Sequence, residues 1–289
     1  MTASSKRRTS KKSSIRRRLR AWLPGQPGAV MMAMTPALGG DIASVAYDGF
    51  SAAPWWLTAC WMLCYCVQFS AARWFKSRGS RRWLRQPLVY CAILCAVGIP
   101  FIAVHPDILA WAPTMVILAV ASFAASWLRK ERSLWSNAVA VAAACLMALL
   151  TFRYGCDLDI VRKLGNTGIV IPDLGIRDLT VPGVDGSGSL LACAFAIAQF
   201  GSVLFVKTMI RERGNTKYLA ASWAWHAVAV AIASAVHMPM LTVLSALLLI
   251  RAVVMPLLAK HRTVRPLHTG LVEFASSIAS CALIVGTAV

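Results

Sequence analysis

The sequence predicts an all-α fold: a polytopic transmembrane helical bundle of about nine spans, with a cytoplasmic N-terminus and an outside C-terminus. Three observations predict it. Of 289 residues, 58% are hydrophobic, against about 45–50% in soluble domains. The apolar residues gather in runs close to the roughly 20 residues that a hydrocarbon core of about 30 Å requires of a helix. Charges collect in the short gaps between runs, most of them positive, the mark of loops kept on the cytoplasmic side. Such runs nearly fill residues 28–289 and leave no room for a separate soluble domain.

In order, residues 1–27 form a basic cytoplasmic arm with nine Lys/Arg in 6–20 and no acid, disordered by composition. It reads as a topology signal or as a segment held on an anionic inner leaflet. Pro24-Gly25-Gln26-Pro27 interrupts before any apolar core, so it is not a cleavable signal peptide; a mitochondrial presequence is the alternative for an Arg/Ser-rich arm. The first span, residues 28–46, is the weakest, with Pro36, Gly39, Gly40 and Asp41 inside it. Asp41 and Asp48 read as its outer end. Residues 53–75 are strong and tryptophan-rich, which suits interfacial belts. A basic inner loop follows to Arg85; residues 87–104 run outward and 108–128 return. Arg129-Lys130-Glu131-Arg132 is the next inner loop, and residues 137–152 go out.

Residues 153–187 differ: five Asp, several Gly and Pro, and four basic residues describe an outer loop, with a short strand expected at 167–171. Residues 189–206 re-enter, 207–217 turn, 218–236 leave, 240–258 enter, and 269–289 end outside. This path places 25 of the 30 Lys/Arg inside and four in the long outer loop, with Arg251 alone in a span. The same distribution argues against nucleic acid as the reason for the net charge of +19, because no globular basic face exists. Eight of nine cysteines lie in apolar runs, so no disulfide framework is expected.

The polar turn Lys207-Thr208-Met209-Ile210-Arg211-Glu212-Arg213-Gly214-Asn215 and the loop Arg129 to Arg132 each flank a glutamate with arginines. One reading is a shared anion site, with Lys207, Arg211, Arg213, Arg129 and Arg132 binding phosphate beside Glu131 and Glu212, the candidate bases. The other is a set of inner turns that anchor helices to headgroups. Asn137 either caps the next helix or lines the same pocket. Arg251 lies mid-span, where an unpaired charge costs about 2.5–3.5 kcal/mol. It must face the bundle interior and find a partner. Glu273 in the final span is the candidate, and His226 in the span before could join them. Either a structural interhelical pair or a functional mid-span site fits.

Some chemistries have no motif. There is no P-loop and no HExxH, no metal-ligand spacing, and no series of membrane carboxylates for a proton pump. No metal and no cofactor is therefore expected.

The stretches VKTMIRERGN (206–215) and ERSLWSNAVAVAAACLMA (131–148), with Trp225-His226-Ala227, resemble the YwiC-like family of bacterial membrane proteins. The resemblance spans roughly residues 24–289. At its start the family's P-Q-H-G-A-W element reads Pro24-Gly25-Gln26-Pro27-Gly28-Ala29-Val30. The resemblance implies a multi-pass bacterial inner-membrane protein of unassigned function. Nine spans with charged inner loops are also similar to UbiA-type prenyltransferases, but arginines stand where those enzymes need aspartates. The expected partners are membrane lipids and anionic headgroups. Recognition of an anionic lipid or lipid-linked phosphate at the cytoplasmic face is the first functional reading. A small-solute or lipid transporter and a non-catalytic component of an assembly are the alternatives.

Overall fold

The computed structural model describes residues 22, 24, 27–156, 186–261 and 266–289. The basic arm 1–20, most of the 153–187 loop with its expected strand, and Arg262 and Arg265 lie outside the described residues.

Nine long helices run in chain order among the described residues: α1 (Pro27–Asp48), α2 (Ala52–Lys76), α3 (Arg85–Val104), α4 (Ala112–Trp127), α5 (Leu134–Gly155), α6 (Gly186–Val206), α7 (Thr216–Ala235), α8 (Pro239–His261) and α9 (Pro266–Ala288). A 3₁₀ segment, Pro106–Trp111, leads into α4, and a π turn, Lys207–Arg211, prolongs α6. No strand occurs among the described residues.

Eight of these helices are long and apolar enough to cross a membrane, and the chain is a multi-pass helical membrane protein. The exception is α2. It has 25 residues, ample for a span, and was expected among the strongest. Its four tryptophans, Tyr65, Gln68, Thr58 and Ser70 make it the least apolar of the nine.

Helix ends follow local chemistry. Ser133 caps α5 by accepting the Ser136 N–H at 3.3 Å, and Asn215 caps α7 by accepting the Lys217 N–H at 3.1 Å. Prolines open α1, α8 and α9, where a missing N–H has no intrahelical bond to lose. At the far ends of α2, α4 and α7 the chain turns through Arg78, Arg129 and His237, all at positive φ near 55°. The following residue's N–H reaches back to Trp74, Ala125 and Ala233 carbonyls respectively, the closing pattern that glycine usually serves.

The chain divides into two compact units, Met1–Val30 with Cys60–Glu131, and Met31–Ala59 with Arg132–Val289. In the first, Gln68 donates to Ser122 at 3.1 Å, and Phe75 stacks near Phe123 and Trp127, so α2 meets α4. Helices α3 and α4 bury little of their apolar surface against protein.

The second unit holds the core. Here α5 packs on α6, α6 on α9, α7 on α8, and α8 on α9. Phe152, Leu191, Phe195 and Ile284 are fully buried between them. Helix α1 lies against this core at glycines. A Cβ on Gly40 would sit 2.1 Å from Thr151 Oγ1, and one on Gly39 would sit 2.5 Å from the Phe195 ring. Only a residue without a side chain allows so close an approach.

Of the three prolines inside helices, Pro36, Pro100 and Pro256, each would orphan a carbonyl, because proline has no N–H for residue i−4, and two of those carbonyls find a partner on a neighbouring helix. Pro36 frees the Met32 carbonyl, and Gln199 Nε2 of α6 donates to it at 2.9 Å. Pro256 frees the Ala252 carbonyl, and the Trp223 indole of α7 donates to it at 2.9 Å. Both helices are thus tied to a neighbour by the group the proline released.

Candidate functional site

The second unit carries two groups of charged residues. The first is the turn after α6. Lys207 and Thr208 are buried, and the helix continues through them as a π turn closed by the Glu212 N–H on the Lys207 carbonyl at 2.8 Å. The polar turn expected from Lys207 onward therefore begins only at Glu212. Buried Lys207 directs its ammonium to the Arg132 carbonyl at 2.8 Å and lies over the Tyr218 ring. Thr208 donates to the Leu204 carbonyl at 2.9 Å.

Glu212 accepts from Asn215 Nδ2 at 3.1 Å and attracts Lys207. Gly214, at φ +88°, supplies the left-handed step between them. Arg213 donates to the Ala259 carbonyl near the end of α8 at 3.0 Å. That leaves Arg211 and Arg132. Both are exposed, they lie close enough for their charges to repel, and neither is in an ion pair among the described residues.

The second group is mid-span. Arg251 of α8, 8% exposed, donates through NH1 to Glu273 Oε2 of α9 at 2.7 Å and through NH2 to Ser202 of α6 at 3.3 Å. Its guanidinium lies 4.2 Å from the centre of the Phe205 ring, a cation–π contact. The ion pair also has the geometry of a charge-assisted hydrogen bond. His226 of α7 is 2% exposed, and its Nδ1 is 2.7 Å from the Ser222 carbonyl. With the proton on Nδ1 it donates there, and Nε2 is left as an acceptor. His226 lies within electrostatic range of Arg251. Its Nε2 faces Gly201, where a Cβ would come within 2.9 Å. His226 Nε2, Arg251 Nε and Ser222 Oγ are buried without a hydrogen-bond partner among the described residues.

The other expected residues stand elsewhere. Glu131 and Arg129 belong to the first unit, where Glu131 pairs with Lys76 and Arg129 NH2 lies 3.4 Å from the Lys76 carbonyl. Asn137 is not a cap. Ser133 holds that position, and the Asn137 N–H bonds the Ser133 carbonyl in the first turn.

Sequence reasoning missed three contributors. Ser202 and Phe205 carry no charge to draw attention, and nothing in a single sequence says that they face Arg251. Asp41 carried a signal, an acid inside an apolar run, but its place toward the end of α1 made it read as an outer-end residue. It is fully buried instead, and Thr58 of α2 donates to its Oδ2 at 2.8 Å.

Comparison with known families adds one match. The family model of YwiC-like protein aligns with residues 23–152. Over that stretch the chain is similar to the YwiC-like family. The matched stretch runs from the entry to α1 to near the end of α5. It takes in the loop Arg129 to Arg132, Asn137 and Asp41, while the turn at Lys207 and the Arg251 group fall beyond it. No curated protein and no solved structure matches the chain. Arg132 thus lies inside the matched stretch and Arg211 outside it.

Proposed function

We propose that this multi-pass protein recognises a phosphate-bearing anion at its cytoplasmic face, the headgroup of an anionic lipid or a lipid-linked phosphate in an inner membrane. The observation that supports it is the Arg132–Arg211 pair. Two exposed guanidinium groups from different helix ends are held within range of mutual repulsion, and neither is in an ion pair among the described residues. Their backbones are fixed, Arg132 by the buried Lys207 ammonium on its carbonyl and Arg211 by the π turn. Like charges held together are unfavourable until an anion joins them, and the planar fork of arginine suits phosphate oxygens.

Lys207 adds positive charge behind the pair, and Arg213 and Asn215 hold the rest of the turn in shape. Glu212 is engaged by Asn215 and Lys207, so it shapes the turn rather than standing free as a base. The reading is therefore one of recognition, with no bond-making step assigned.

The test is lipid-dependent thermal stabilisation of the purified protein in neutral detergent. Phosphatidylglycerol should raise the midpoint and phosphatidylcholine should not. A hydrogen bond to a charged group contributes about 1.5–3 kcal/mol, so Arg211→Ala or Arg132→Ala should weaken the apparent affinity roughly tenfold or more. Equal stabilisation of wild type and both variants would remove the proposal.

A further inference from the structure

Asp41 poses a question that phosphate recognition at the other group does not touch. Its residue surface is fully covered by protein. The carboxyl receives one hydrogen bond, from Thr58 Oγ1 to Oδ2 at 2.8 Å, and Oδ1 has no partner among the described residues.

The neighbouring hydroxyls are all committed elsewhere. Ser44 donates to the Asp41 main-chain carbonyl at 2.9 Å. Thr151 of α5 donates to the Ala37 carbonyl of α1 at 2.9 Å and to its own Met147 carbonyl at 2.8 Å. Nor is there room to slip another group between α1 and α5, because Gly40 meets Thr151 and Gly155 meets Ser44 with no space for even a Cβ.

Among the described residues no charged side chain bonds or pairs with the carboxyl. Helix α2 offers the Thr58 hydroxyl, α5 offers Thr151, and α6 offers the Phe195 ring against Gly39. Among the described residues Asp41 is in no ion pair, and Thr58 is its carboxyl's one hydrogen-bond partner. An ionised carboxylate held in protein without a countercharge is strongly unfavourable, and in a span no water is at hand to relieve it.

We infer that the Asp41 carboxyl, hydrogen-bonded by Thr58 and sealed by the Gly40–Thr151 and Gly155–Ser44 contacts, is a proton-binding site within the membrane. The ligand is the proton itself: carboxylate plus one proton gives the neutral acid, and no other bond changes. A metal cation fits less well, since hard cations take six or more oxygens and only the carboxyl and one hydroxyl face each other here.

Infrared spectroscopy of the full chain in lipid nanodiscs tests this. Wild-type protein at mildly acidic pH should show the carbonyl stretch of a protonated carboxylic acid, lost in Asp41→Asn. Thr58→Val removes the hydrogen bond that favours the charged form. Its band should therefore persist to a higher pH than in wild type, and this variant serves if Asp41→Asn fails to fold. Spectra in which wild type has no such band at mildly acidic pH overturn the proposal. So does a band abolished by sodium chloride but not by potassium chloride, because the occupant would then be a sodium ion.

Discussion

Arg251 and Asp41 both sit in spans, both are buried, and the fold treats them in opposite ways. Arg251 is met from three directions: Glu273 from α9, Ser202 and the Phe205 ring from α6. Asp41 is met by a single hydroxyl. The first is a charge with a countercharge and is fixed in place by it. The second has a tight apolar and glycine-lined surrounding that serves a neutral group well and a charged one badly. Burial alone therefore does not decide what an intramembrane ionisable residue does; the partners within hydrogen-bond reach decide it.

The largest effect expected from breaking this contrast is at Glu273. Glu273→Ala leaves the Arg251 guanidinium buried with no countercharge, and removing one member of such a pair costs about 3–5 kcal/mol. Thermal unfolding in detergent should show most of the folded protein lost. The double variant Arg251→Met with Glu273→Ala, which removes the stranded charge, should recover the greater part of it. If the single variant unfolds within a degree or two of wild type, Arg251 is not held as described.

A middle-sized effect comes from the carbonyls released by proline. Trp223→Phe withdraws the indole N–H from the Ala252 carbonyl, and a stranded buried acceptor costs about 1–3 kcal/mol. Pro256→Ala in the same chain restores a backbone N–H to that carbonyl, so the two substitutions should be coupled favourably in a double-mutant cycle. Gln199→Leu at the Met32 carbonyl should cost less, about 1 kcal/mol, because Gln199 Oε1 already lacks a partner and the substitution removes that defect too. Additive stabilities for Trp223 and Pro256 would show that the indole bond matters little.

Much of the architecture was legible because membrane insertion imposes rules on sequence. Apolar runs gave the long helices within a few residues, and one charge in a run marked Arg251 as a residue that must find a partner. Glu273 was named as that partner because few intramembrane acids exist to choose from. What stayed hidden depends on rotation about each helix axis. The apolar runs have no polar face to show which side is inward, so Ser202, Phe205 and Gly201 were invisible as neighbours of Arg251 and His226. The π turn was hidden too, since Lys207 looks like the start of a loop until its ammonium is seen on the Arg132 carbonyl. Asn137 reads as a cap because it heads the apolar run, but the helix begins earlier and Ser133 holds that position.

The smallest expected effect is also the sharpest use of the comparison. Asp41→Asn and Glu273→Gln make the same chemical change, carboxyl to amide at nearly constant shape. At Glu273 the change strips a countercharge from Arg251. At Asp41 an amide replaces a group that is already neutral if it carries a proton, and the Asn oxygen still accepts from Thr58. One ordinary hydrogen bond contributes about 0.5–1.5 kcal/mol net, and this one is kept, so Asp41→Asn should change stability by less than about 1 kcal/mol. The two midpoints, measured in the same detergent at the same pH, should separate widely. If Asp41→Asn proves as damaging as Glu273→Gln, the Asp41 carboxyl works as a charge in the folded protein, and the asymmetry between the two centres is gone.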